Sequence, residues 1–384
     1  MAQLLFTLTE YAVKFKGEQI NLLRKEYFLL QYLYENANQA FSREQLLNSV
    51  WSMESPSDRT VDDHIYRLRK KLKPWSADFT IETVKGYGYQ MTYDKNENEI
   101  APISKDEEFH QLMEALIKKY HLYGQGEAID TFIEKKSLGI ELPKDYESIM
   151  AYKKGDFWWF IHDKKIPMSE KLYFLIGIFQ TISRDYSQSI TYLNNGINRN
   201  AFSKNTRYEA ETLGLLFAYV FNQEATRASQ YMNKLSETIA PEITNTDHGY
   251  YPFLKNIKMI LALYQNDDDV FEELCNQMDE FYIKKPYQRE LGIFTILKGL
   301  FLIRNGEQNR GRLETETGYE IIRKTNFKSH LFLALDVSMF LLEHTVTDDV
   351  TYKRLKERRE KLNKEYNFPE LLLEVKYILH KHLG

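Results

Sequence analysis

The chain has 384 residues, of which 43% are hydrophobic and 28% charged, and its formal net charge is −4. This length predicts two or three domains, and the single cysteine, Cys275, excludes an intramolecular disulfide and a cysteine-cluster metal site. The longest apolar stretch, 172–182, is too short to span a bilayer, and no signal-peptide pattern opens the chain. We therefore expect a cytoplasmic protein with no membrane partner.

The first 95 residues predict short strands, then three helices, then a hairpin. Apolar and polar residues alternate over 4–15, which is typical of small antiparallel strands. Helical spacing follows over 23–34, and Ser42 and Gln45 form the capping box of a second helix. A third helix covers 59–72, and 79–91 reads as a hairpin with glycines near its tip. This order predicts an α+β winged helix-turn-helix domain over residues 1–95.

The third helix concentrates the positive charge of this domain. Residues 1–97 contain 13 basic and 13 acidic residues, yet 59–73 contains six basic residues against two acidic ones. Val61, Ile65, Leu68 and Leu72 share one stripe that we expect to face inward. The opposite face carries four polar or charged residues, and such a basic face on one helix indicates contact with nucleic acid. These residues are Asp63, Tyr66, Arg67 and Lys70.

Three segments in order, 42–51, 59–72 and 81–89, resemble the DNA-binding domain of OmpR/PhoB-type regulators. The middle segment begins Arg59-Thr60-Val61-Asp62-Asp63-His64-Ile65, and the last contains the Gly-Tyr-Gly-Tyr sequence of 86–89. The resemblance implies that double-stranded DNA is the partner, with the third helix in the major groove and the hairpin as the wing. It assigns three groups of contacts: phosphates to Arg59, Thr60, His64 and Arg69; base edges to Asp63, Tyr66 and Arg67, with Lys70 on the same face; and the backbone or minor groove to Thr83 and Lys85.

The chain departs from that family at several positions. Leu23 stands where the family has a capping threonine, Lys85 replaces the arginine of the wing, and the family varies at positions 63 and 66. No phosphoacceptor domain precedes the winged helix, so we expect no control by aspartyl phosphorylation within this chain. The family also implies an RNA polymerase contact through the loop 52–58, and homodimers on repeated half-sites.

The rest of the chain predicts helices. Residues 96–108 read as a linker, and 109–384 as an all-α solenoid of helical hairpins that senses a signal and dimerises. The predicted helix ends at Ser183, Asn222, Asn266 and Asn305 are 39, 44 and 39 residues apart. This pattern is similar to tetratricopeptide repeats, although it is longer than their usual period of about 34 residues and lacks their signature residues. The 38 basic and 42 acidic residues of 98–384 argue against DNA contact by this part.

Stacked hairpins leave a concave groove suited to an extended peptide or a helix. In architecture the chain is similar to SARP-type activators and to peptide-responsive bacterial regulators, which implies a short peptide effector and a role in quorum sensing. The candidate groove residues are Asn194, Asn198, Asn222 and Asn256. No phosphate-binding loop, zinc-protease motif or nucleophile elbow is present, so we expect no cofactor, no metal and no enzyme activity.

The sequence therefore predicts a one-component transcriptional regulator controlled through its repeat domain. Two alternatives stay open. In one, the regulator is constitutive and the repeats only dimerise or contact polymerase. In the other, the winged helix binds protein and the chain is an interaction adaptor.

Overall fold

The computed structural model describes residues 4–7, 10–51, 58–76, 78–93, 106–134, 144–164 and 166–384. The chain divides into two compact units, residues 1–99 and residues 100–384, called here the amino-terminal unit and the helical unit. The greater part of the predicted linker 96–108, and of the loop 52–58, lies outside the described residues.

The amino-terminal unit begins with a three-stranded antiparallel sheet. Its strands are β1 (Leu5–Thr7), β2 (Ala12–Phe15) and β3 (Glu18–Asn21), in that order. Val13 pairs with Phe6 on one side and with Ile20 on the other, so apolar side chains of all three strands come together. The turn between β2 and β3 places Gly17 at a φ of 86°, a left-handed conformation that glycine adopts without strain.

A second sheet and three helices complete this unit. The helices are α1 (Arg24–Glu35), α2 (Arg43–Val50) and α3 (Asp58–Lys71). The sheet contains β4 (Ala40–Ser42), β5 (Phe79–Val84) and β6 (Gly88–Tyr93) in the order β4-β6-β5, with both pairs antiparallel. The predicted inward stripe of α3 is buried in the core with α1. This architecture confirms the predicted winged helix-turn-helix, and β4 is a strand that the sequence reasoning missed.

The described residues of the helical unit form helices and turns and contain no strand. It begins with α4 (Glu107–Leu122), α5 (Gly126–Glu134), α6 (Lys144–Lys154) and α7 (Phe157–His162). The next helices are α8 (Met168–Ser183), α9 (Tyr186–Asn198), α10 (Lys204–Glu209), α11 (Leu215–Phe221) and α12 (Ala225–Lys234). The last are α13 (Tyr251–Gln265), α14 (Asp268–Lys284), α15 (Gln288–Arg304), α16 (Gln308–Lys324), α17 (Lys328–His344), α18 (Asp349–Glu365) and α19 (Phe368–Leu383). A π-helical stretch, Ala210–Gly214, joins α10 to α11.

These helices pack largely as hairpins of consecutive partners. Pairs form between α8 and α9, α11 and α12, α13 and α14, α15 and α16, and α17 and α18. The first helices of the pairs end at Ser183, Phe221, Gln265, Arg304 and His344, and the first four of these ends coincide with the predicted turns. Helical hairpins are therefore present, whereas their membership of the tetratricopeptide family stays a prediction.

The helix α17 lies at the centre of the unit. It packs against α6, α8, α13, α15 and its own partner α18. Glycines bring α15 and α16 into close contact, since a Cβ on Gly299 would lie 2.6 Å from the backbone nitrogen of Thr315. The helix α15 also packs against α13 and α17. No helix among the described residues is both long enough and apolar enough to cross a membrane.

Candidate nucleic-acid interface

Apolar side chains hold the inward face of α3 in the core, and polar contacts fix its sides. Val61, Ile65 and Leu68 are almost fully buried. The preceding helix α2 begins with the predicted capping box: Gln45 N donates to Ser42 Oγ at 3.1 Å, and Ser42 N donates to Gln45 Oε1 at 2.8 Å. Since α2 packs on α3, this cap also fixes the position of the third helix.

An acidic residue on α3 joins three elements. Asp62 Oδ1 accepts from Arg43 Nε at 2.7 Å and from the Tyr89 hydroxyl at 2.7 Å. The Arg43 guanidinium lies 5.1 Å from the centre of the Tyr89 ring. Burial, followed by the neighbouring Asp62 carboxylate, raises the pKa of Tyr89. This cluster ties α3 to α2 and β6, and the sequence reasoning missed it, although an acidic residue inside a basic helix was the available signal.

Arg69 connects α3 to the wing. Its Nε donates to Ile81 O at 2.8 Å, and its Nη2 donates to Thr83 Oγ1 at 2.8 Å. Both acceptors belong to β5, so the predicted phosphate contact Arg69 and the predicted wing contact Thr83 lie together. The remaining nitrogen, Nη1, has no hydrogen-bond partner among the described residues, and the phosphate contact of Arg69 stays a prediction.

Two further basic positions of α3 are oriented by the protein itself. His64 Nδ1 lies 2.7 Å from Thr60 O, and its ring meets the Trp51 ring edge-on at 5.1 Å. Lys71 Nζ donates to Glu26 Oε2 at 2.7 Å and to Asn21 O at 3.2 Å. Glu26 is completely buried and also accepts from Leu23 N at 2.8 Å, which supports the start of α1 in place of the missing side-chain cap. Lys71 therefore points toward the core rather than toward a ligand.

The side chains on the outward face of α3, in contrast, are exposed to solvent. Asp63, Tyr66, Arg67 and Lys70 are exposed, with 70% of Tyr66 accessible. No described residue forms a hydrogen bond or an ion pair with any of these four side chains. Arg59 is also exposed at the first turn of the helix, and Thr60 is half-buried beside it. The predicted base-reading residues therefore share one exposed face of α3, where no side chain in the described ranges is bonded to them.

The wing presents Lys85 at its tip. Lys85 is exposed between β5 and β6, and the next residue, Gly86, has a φ of 76°. At the base of the wing, a Cβ on Gly88 would lie 2.0 Å from Phe41 O, so only glycine permits β6 to pair with β4 there. Tyr87 OH donates to Gln45 Oε1 at 3.0 Å, which attaches the wing to α2.

The comparisons with known proteins concern this unit alone. Residues 17–91 match the family described as transcriptional regulatory protein, C terminal. The response regulator ArlR of Staphylococcus haemolyticus (strain JCSC1435) is 45% identical over 80 residues, which are 21% of this chain and 36% of ArlR. ArlR of Staphylococcus aureus (strain Mu50 / ATCC 700699) is 46% identical with the same coverage.

A crystal structure of the response regulator AdeR DNA binding domain, in complex with an intercistronic region, is 26% identical. The alignment covers 24% of this chain and 94% of that one, with a TM-score of 0.22. The family match over residues 17–91, together with the winged-helix fold, identifies these residues as a DNA-binding domain of the OmpR/PhoB type. The chain spans only 36% of the length of the ArlR proteins.

The four asparagines predicted to line a groove belong to the helical unit, and their side chains differ in burial. Asn256 is buried in α13 and its Nδ2 donates to Glu290 O at 2.9 Å. Asn222 ends α11 and its Nδ2 donates to Glu224 Oε1 at 2.6 Å. Asn194 is half-buried and Asn198 exposed on α9. Asn256 also lines a small interior cavity between α11, α13, α15 and α17. The assignment of all four asparagines to a ligand groove stays a prediction.

Proposed function

We propose that the chain is a one-component, sequence-specific transcriptional regulator that reads DNA with α3 and is controlled through its helical unit. In this proposal α3 lies in the major groove, the wing lies on the backbone or in the minor groove, and two chains bind repeated half-sites as a dimer. Such a protein acts in the cytoplasm, where bacterial DNA lies.

The main support for this proposal is that some polar side chains of α3 bond to other groups of the protein, whereas others do not. On α3, Arg69 and Lys71 are bonded to protein groups, whereas Arg67 and Lys70 are exposed without a partner among the described residues. Arginine can donate two hydrogen bonds to a guanine edge, which contributes roughly 1–3 kcal/mol of discrimination against the wrong base. Lys70 is a point charge suited to a phosphate, and it adds salt-dependent affinity that does not depend on sequence.

The DNA contacts are tested by selecting binding sites for the full-length protein from random duplex DNA, followed by affinity measurements on the enriched site. We expect Arg67→Ala to weaken binding by about ten- to a hundred-fold and to relax one position of the site. We expect Lys70→Ala to weaken binding to all sequences and to lower the slope of log affinity against log salt by about one. Arg310→Ala, an exposed arginine of the helical unit, serves as the matched control.

The outcomes separate the proposal from its rivals. Enrichment of one motif that Arg67→Ala loses supports a DNA reader. If no motif is enriched, or if affinity survives both Arg67→Ala and Lys85→Ala, the winged helix does not read DNA in this way and the adaptor interpretation is favoured. A constitutive regulator would bind its site with an affinity that no effector changes.

A further inference from the structure

The first helix of the helical unit, α4, leaves much of its apolar side uncovered. Of the six apolar or aromatic residues on this side, one is buried; they are Phe109, Leu112, Met113, Leu116, the buried Ile117 and Tyr120. Leu112 is 63% exposed and Leu116 is 36% exposed. A helix of this length owes most of its stability to the packing of an apolar side against a partner. The exposed part of α4 therefore has the character of an interface.

The carboxyl-terminal turn of α4 is anchored within its own unit. Arg289 Nη1 lies 3.1 Å from His121 Nε2, and the Tyr123 ring meets the Tyr287 ring edge-on at 5.0 Å. The helix also packs against α5. The end of α4 is therefore fixed in the helical unit, while the turns before it present the exposed leucines to solvent.

The apolar stripe of α4, defined here as Phe109, Leu112 and Leu116, has a charged residue near each end. These three residues lie within about 60° of one another around the helix axis. Glu108 and Lys119 lie together on one flank of the stripe, and both are exposed. Neither forms an ion pair with another residue in the described ranges. The stripe is therefore negative at its amino-terminal end and positive at its carboxyl-terminal end, so it is complementary to a copy of itself turned end to end.

Two copies of α4 fit together in an antiparallel orientation. When a two-fold axis passes level with Glu114, Leu112 of one copy lies level with Leu116 of the second copy. Glu108 then lies within one residue of the level of Lys119 on the same flank, and symmetry repeats both contacts. A parallel orientation would instead place each Glu108 level with the other Glu108, and each Lys119 level with the other Lys119. The charges therefore favour the antiparallel pair.

We propose that the apolar stripe of α4 is a dimer interface, where it pairs antiparallel with the same stripe of a second copy of this chain. The inference rests on the proposed function only for the use of this dimer on repeated half-sites. With 16 residues, α4 is about 24 Å long, so one helix pair buries less than the roughly 1,600 Å² of a standard interface. We therefore expect a dimer that dissociates at micromolar concentration and that paired DNA half-sites strengthen.

The last helix, α19, supplies a matched control. Leu373 and Tyr377 are exposed on it to 71% and 66%, respectively. Unlike α4, however, α19 already buries five residues along its length in the helical unit. It therefore has its packing partners, and Leu373→Glu places a charge at an equally exposed leucine outside the proposed interface.

Association is measured by sedimentation of the full-length protein without DNA across the micromolar range. We expect Leu112→Glu to raise the dimer dissociation constant roughly ten-fold or more, because pairing would bury an uncompensated charge, and Leu373→Glu to leave it unchanged. Glu108→Lys and Lys119→Glu should each raise it about three- to ten-fold, since each brings like charges together. Lys118→Glu is the control for charge reversal, because Lys118 lies on the opposite side of α4, where it pairs with Glu114 at 2.7 Å.

A mixture of the Glu108→Lys chain with the Lys119→Glu chain tests the orientation. In an antiparallel mixed dimer each new charge lies beside an opposite charge, so the mixture should associate as tightly as wild type although neither variant does so alone. This restoration supports the inference even if Leu112→Glu fails to fold.

Three results would overturn the inference. They are a wild-type protein that stays monomeric across this range, a dimer that Leu112→Glu weakens no more than Leu373→Glu does, and a mixture that associates no more tightly than its components. Because DNA is absent from the measurement, a failure of the DNA-binding proposal produces none of them.

Discussion

Replacement of Lys71 by methionine tests whether the last residue of α3 stabilises the fold of the amino-terminal unit. Lys71 lies one position from the exposed Lys70, yet its ammonium group donates to the completely buried Glu26 at 2.7 Å. Methionine keeps the aliphatic part of the side chain and removes the charge. We therefore expect Lys71→Met to destabilise the amino-terminal unit, although a basic residue on this helix would ordinarily be assigned to DNA.

The magnitude follows from what Glu26 would lose. Its Oε2 accepts from Lys71 and from Leu23 N, and its Oε1 has no hydrogen-bond partner within the described part of the chain. Removing one partner of a fully buried ion pair costs about 3–5 kcal/mol because a charge is left uncompensated. The Lys71 side chain is 34% exposed, so solvent already screens part of this interaction. We expect a loss of about 2–3 kcal/mol in the free energy of unfolding of this unit.

Hydrogen exchange of the full-length protein, read by mass spectrometry on peptides from α1 and α3, measures this loss within one unit. A change of 2–3 kcal/mol corresponds to exchange that is about 30- to 150-fold faster for amides that open with the whole unit. Lys70→Met is the matched control, and an exposed lysine of this kind should change stability by less than about 0.5 kcal/mol.

The double variant Lys71→Met with Glu26→Gln isolates the mechanism. Once Glu26 is neutral, the missing ammonium group should matter much less, and most of the stability should return. Equal exchange rates in Lys71→Met and Lys70→Met would refute the reasoning. So would a double variant that is less stable than the single one, since the loss would then come from packing instead of charge.

Two further substitutions test other parts of the fold. Gly88→Ala should destabilise the amino-terminal unit by about 1–3 kcal/mol or more, because the added Cβ would overlap Phe41 O. The control Gly17→Ala should cost only about 1 kcal/mol, since its Cβ contacts no other atom and only the positive φ is unfavourable. Similar shifts of the thermal unfolding temperature for both variants would contradict this account. Burial raises the pKa of Asp156 to about 7, so the native state holds a proton that the unfolded state releases, and this contribution to stability is lost as pH rises toward 7. We expect that, in urea unfolding, the stability of Asp156→Asn relative to wild type improves by about 2 kcal/mol between about pH 5.5 and pH 7. A difference independent of pH would show that the pKa of this carboxyl is not raised in the folded protein.

The sequence determined the features that depend on neighbouring residues. The period of Val61, Ile65, Leu68 and Leu72 identified the buried side of α3, and therefore the exposed side as well. The capping box at Ser42 and the glycines of the wing gave the order of elements in the amino-terminal unit. Turn chemistry located the ends of four helices to within one residue of Ser183, Phe221, Gln265 and Arg304. Each of these is local, because caps, turns and helical faces involve residues a few positions apart.

The tertiary structure decided which polar residues find partners. Asp62 bonds to Arg43 and Tyr89, Lys71 bonds to Glu26, and Arg69 bonds to the wing. Basic residues with similar neighbours in the sequence therefore have different roles. The same holds in the helical unit, where Asn256 and Glu290 come from different helices to one cavity. Periodicity states that a side chain points inward but not what it meets, because the partner is set by the packing of elements that are far apart in the chain.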